Sequence, residues 1–71
     1  MYINLKIEML KSGIKIKDIA LHLGIHRNTV EYKIRGKGCF DIVEATKIRD
    51  KFFEGLTLDY LFARQELKKQ A

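Results

Sequence analysis

The chain has 71 residues, 46% of them apolar and 32% charged, with a net charge of +5. A domain this small buries only about 60% of the surface its unfolded chain exposes, so a globular fold is expected but an enclosed catalytic pocket is not, and no enzyme activity is expected. The longest apolar runs are three or four residues, MYINLKIEML has no basic region leading into a long apolar core, and Cys39 has no partner for an internal disulfide; a cytoplasmic protein with neither signal peptide nor membrane span is expected.

In chain order, Ile3, Ile7 and Leu10 repeat at helical spacing, and the following KSG predicts a helix end near Ser12 with Gly13 relieving the backbone. Ile19, Ala20 and Leu23 mark one face of a second helix that Gly24 stops. A third helix is predicted from about Arg27 to Arg35, with Val30 and Ile34, one turn apart, facing inward. After a loop containing Gly36 and Gly38, Asp41 and Glu44 read as a capping box opening a fourth helix with Ala45, Ile48 and Phe52 as its buried stripe. Thr57 caps a short fifth helix carrying Leu58, Leu61 and Phe62, and the polar tail 64–71, RQELKKQA, is expected to fray. No strand alternation, repeat or linker interrupts this pattern, so the fold class expected is all-α, one domain of five short helices.

The positive charge is localised. Seven basic residues (Lys11, Lys15, Lys17, Arg27, Lys33, Arg35 and Lys37) lie between positions 11 and 37 against Asp18 and Glu31, which accounts for the whole +5. That imbalance suits a polyanion partner as well as a solvated lysine-rich surface. Ala20, four positions before Gly24, and Val30, six after it, suit two helices crossing steeply through a tight turn, where a larger side chain at position 20 would force them apart. This is the helix-turn-helix arrangement, whose second helix is presented to the DNA major groove.

DIALHLGIHRNTVEYKIRGKG resembles the phage lambda repressor and Cro-like helix-turn-helix (XRE) family, and CFDIVEATKIRDKFFEGLTLDYLFA is similar to the carboxy-terminal half of its small phage-type members. The resemblance runs from about Leu5 to Ala63 and is carried by Ala20, Leu23-Gly24-Ile25, Thr29-Val30, Lys33-Ile34, Gly36 and LDYLF. It implies a lambda-repressor-like domain that regulates transcription by binding an inverted-repeat operator in double-stranded DNA as a homodimer, formed in solution or only on DNA. Three departures stand out: Lys15 and Ile16 replace a usual threonine cap and phosphate-touching glutamine, His26 replaces a serine, and Arg35 an asparagine.

Helical geometry projects Asn28, Tyr32 and Arg35 outward, with Thr29 and Glu31 on the flanks and Arg27 near the helix start. Arg27, Asn28, Glu31, Tyr32 and Arg35 are therefore candidate base contacts: Asn suits adenine, Arg guanine, and Glu cytosine N4. For Glu31, an ion pair with Arg35 on a solvated face is the favoured reading. Lys15, Lys17, His26, Thr29, Lys33 and Lys37 are candidate phosphate contacts. His22, His26 and Cys39 lack the shared face and the further ligand a metal site needs, so neither metal nor other cofactor is expected. Phe52 and Phe53 cannot both point inward from one helix, so part of the aromatic-rich segment 52–62 is expected on the surface, with Phe53 and Tyr60 as candidates for the dimer interface. The rival reading is a helical protein-interaction module, or an antagonist using the same fold.

Overall fold

The computed structural model describes residues 1–64, which form five α-helices in the order α1 (Ile3–Ser12), α2 (Ile16–Leu23), α3 (Arg27–Ile34), α4 (Ile42–Phe52) and α5 (Leu58–Leu61). The all-α class and the five elements match the sequence reading, as do the ends of α1 and α2, the start of α3 and the capped starts of α4 and α5. Each helix sends one side chain to full or near-full burial at the centre: Leu5, Ile19, Val30, Ile48 and Leu61. At about 25 cal/mol per Å² of apolar area, these five side chains hold helices too short to persist alone.

The local signals that end the helices act as expected. Gly24, at φ 72°, turns the chain out of α2 while the Ala20 carbonyl accepts from the N–H groups of Gly24 and Ile25, at 2.8 and 3.1 Å. A residue with a β-carbon would incur roughly 1–2 kcal/mol of torsional cost in this left-handed conformation. At the start of α4, the Asp41 carboxylate accepts from the Glu44 N–H at 2.8 Å and Glu44 accepts from the Asp41 N–H at 3.2 Å. Thr57 Oγ1 accepts from the Tyr60 N–H at the start of α5.

Two expectations about faces are corrected. In α1 the buried pair is Leu5 and Met9, whereas Ile7 and Leu10 are exposed. Both sets have helical spacing; Tyr2 decides between them, because it is buried against Phe40 and Phe62 and its N–H bonds to the Ile34 carbonyl, fixing the rotation of the helix that follows. Phe53 is also buried, with 5% exposure. The helix stops at Phe52, and Phe53, at φ −136° and ψ 51°, leaves helical phase and turns its ring inward beside the half-buried Phe52. Phe53 is a core residue and does not offer a dimer surface.

Of the expected frayed tail, positions 65–71 lie outside the described residues, while Arg64 is tied down. Its guanidinium donates to the Gly36 carbonyl at 2.8 Å and to Cys39 Sγ, and stacks over the Tyr2 ring. Gly36 itself, at φ 92°, leaves no room for a side chain: a β-carbon there would come within 2.6 Å of the Met1 nitrogen. The loop after α3 is thus clamped from both ends of the described chain.

Candidate nucleic-acid interface

α2 and α3 are joined by Gly24, Ile25 and His26 alone, and α3 buries Val30 and Ile34. That anchoring fixes which residues it exposes. Arg27, Asn28, Thr29, Glu31, Tyr32 and Arg35 are all exposed, and Asn28, Glu31, Tyr32 and Arg35 fall on one ridge by i, i+3, i+4, i+7 spacing.

Shallow depressions flank this ridge. One, of about 380 Å³, is lined by Lys15, Ile16, Lys17, Arg27, Asn28 and Glu31; the other, of about 320 Å³, by Asn28, Glu31, Tyr32, Arg35 and Lys37. The structure therefore brings all five candidate base contacts together with Lys15, Lys17 and Lys37. Among the described residues the side chains of Asn28, Thr29 and Tyr32 make no hydrogen bond, and Lys15, Lys17, Arg27 and Lys37 make no ion pair.

The other basic residues of the segment are engaged internally. Arg35 pairs with Glu31 at 3.3 Å, the i,i+4 contact favoured from sequence, and Lys11 pairs with Glu8 at 3.5 Å. Lys33 is turned away from the ridge: its ammonium lies 2.8 Å from Glu44 Oε1, 3.0 Å from Oε2, and over the Phe40 ring. With both partners' side chains only 20% exposed, Lys33 ties α3 to the first turn of α4. This replaces its expected role as a phosphate contact, and the reason is a carboxylate eleven residues away that local spacing does not reveal.

The start of each helix in this pair is capped unusually. Lys15 has no side-chain acceptor, so the α2 cap is one-sided: Asp18 accepts the Lys15 N–H at 2.9 Å, leaving the Lys15 ammonium uncommitted. His26 caps α3 with its ring, Nδ1 accepting the Asn28 N–H at 3.0 Å. In the neutral ring the proton then sits on Nε2, which remains a donor. His22 instead packs edge-on against Phe52, and among the described residues no group of three or more His, Cys, Asp or Glu side chains is placed to hold a metal ion.

No family model, no curated protein and no solved structure matches the chain. No helix among the described residues is long and apolar enough to cross a membrane.

Proposed function

We propose that this protein is a cytoplasmic, sequence-specific double-stranded DNA-binding regulator of transcription, of the phage-repressor type that its sequence resembles, with α3 lying in the major groove. One observation carries the reading. The α3 ridge presents an amide and a phenol that make no hydrogen bond among the described residues, with Arg35 on the ridge and Arg27 beside it, between depressions edged by ammonium groups that pair with no described carboxylate. Asn28 and Tyr32 read base edges, with Arg27 and Arg35 beside them; Lys15, Lys17, Lys37, Thr29 and the His26 Nε2–H meet phosphates. Glu31 positions Arg35 and, being an anion near phosphates, disfavours wrong registers.

A single recognition helix reads few base pairs, so two copies acting about 34 Å apart on an inverted repeat supply the specificity. With Phe53 withdrawn into the core, such a dimer uses Tyr60, 39% exposed, together with Ile42 and Val43 at the start of α4, which are among the exposed apolar side chains. Ile42 borders a depression shared with Leu58 and Phe62.

Selection of bound duplexes from a random pool tests the proposal. Recovery of an inverted repeat is expected; no enrichment even at low salt would favour the protein-interaction reading. In the same assay, Asn28→Ala and Tyr32→Ala change the preferred sequence, whereas Lys15→Ala, Lys17→Ala and Lys37→Ala weaken all duplexes alike.

A further inference from the structure

A further concavity, of about 240 Å³, opens on the α1 side of the α2 start and is lined by Lys6, Met9, Leu10, Ile14, Lys15, Ile16 and Ile34. Met9 and Ile34 are buried and form its floor; Ile14 and Ile16 are half-buried; Leu10, 79% exposed, stands at the rim with the exposed Lys6 and Lys15. The Leu10 side chain stands outside the core of the described residues: α1 buries Leu5 and Met9. No carboxylate lines the concavity, and neither lysine is ion-paired among the described residues.

The volume falls below the roughly 300–1,000 Å³ of small-molecule pockets, which suits one bulky side chain better than a free ligand. An apolar floor with two cations at its edge that pair with no described carboxylate calls for an apolar group flanked by negative charge. We infer that this concavity docks an acidic protein segment, which seats one leucine- or phenylalanine-sized side chain against Met9, Leu10 and Ile34 and sets carboxylates on Lys6 and Lys15. Lys15 also lines the depression beside α3. A docked segment therefore takes a phosphate contact from DNA and places anions at the edge of the α3 surface, so partner and DNA exclude one another. That exclusion, unlike the docking, rests on the DNA reading.

The probe is a short synthetic peptide with one phenylalanine and one leucine among aspartates and glutamates, titrated into the ¹⁵N-labelled full chain. Saturable amide shifts at Lys6, Leu10, Ile14 and Ile16 are expected. Leu10→Glu and Lys6→Glu, both at exposed positions, should each weaken binding about tenfold or more, as should alanines in place of the peptide's two apolar residues. Equal binding by the alanine peptide, or indifference to Leu10→Glu, overturns the docking site. It is also overturned if Leu10 instead governs binding to phosphatidylserine vesicles or self-association of the chain, with no peptide bound. A duplex recovered by selection is then competed with the peptide. Peptide binding without displacement of the duplex overturns the exclusion alone, and peptide binding by a chain that enriches no duplex removes the DNA reading while leaving the docking site standing.

Discussion

α3 and α4 each bury two apolar side chains, Val30 and Ile34 in one, Ala45 and Ile48 in the other, yet they differ in which of their polar side chains find partners. The carboxylates associated with α4 all have partners: Asp41 and Glu44 cap its start, Glu44 also holds Lys33, and Asp50 pairs with Arg49. In α3 the Asn28, Thr29 and Tyr32 side chains have none among the described residues. Exposed lysines alone do not separate the two helices, since α4 carries Lys47 and Lys51 on its surface as well. The distinction lies in groups able to read a ligand, gathered on one ridge without an internal task. On the proposed reading, the polar groups of α3 left open among the described residues are where DNA binds.

The largest effect that would break this comparison is salt dependence. If a dimer neutralises about six to ten phosphates, affinity for DNA falls roughly 10³- to 10⁵-fold between 50 and 200 mM salt. Filter binding or anisotropy on a selected duplex measures it, and a flat profile would remove Lys15, Lys17, Arg27 and Lys37 from the interface.

Next comes the contrast between a core side chain and a ridge side chain. Ile48→Ala removes a fully buried group from α4 and should cost about 2–5 kcal/mol of stability in urea unfolding. Asn28→Ala should stay within about 0.5 kcal/mol in the same experiment and yet lose about 1–3 kcal/mol of discrimination at one base pair. A destabilised Asn28→Ala would mean that the α3 ridge has a structural task after all.

The fold was legible in the sequence wherever the signal was local. Glycine after a helical pattern, Asp41 three residues before Glu44, and Thr57 before an apolar turn each specify a helix end through contacts within a few residues. The exposed ridge was legible for the same reason, since Val30 and Ile34 set the rotation of α3. What local spacing does not contain is the choice between two helical stripes in α1, the Lys33–Glu44 pair, and the clamp of Arg64 on Gly36. Phe53 belongs to the same class, because its burial depends on where α4 ends rather than on its neighbours' identities. That a histidine nitrogen serves as the cap of α3 required the geometry.

A smaller effect sharpens the α4 side of the comparison. Asp41→Ala removes the acceptor of the Glu44 N–H and should cost roughly 0.5–2 kcal/mol, the usual value for a helix cap. Binding to DNA at fixed folded fraction should not change. A change in sequence preference would show that the α4 start also touches the duplex.

The smallest effect compares two tyrosines. Tyr32 on α3 has a hydroxyl without a partner among the described residues, whereas the Tyr60 hydroxyl on α5 donates to Glu8 Oε2 at 2.9 Å, with Lys11 beside the same carboxylate. The hydrogen bond to Glu8, then desolvation and the repulsion of that carboxylate, raise the Tyr60 pKa above its ordinary 10.0. In the folded state the proton is therefore held more tightly than in the unfolded chain, so the Tyr60 contribution is fully present below pH 10. It is lost as pH climbs from 10 through the raised value, because the unfolded chain releases its proton first. Lysines titrate in the same range, so the quantity to measure is the difference in urea midpoint between the wild type and Tyr60→Phe at pH 8 and again above pH 10. That difference should shrink on going alkaline, and Tyr32→Phe should show no such change with pH while altering DNA selectivity. A Tyr60→Phe difference that stays constant through this range would mean that the Glu8 contact does not persist in solution, leaving the Tyr60 hydroxyl as uncommitted as that of Tyr32.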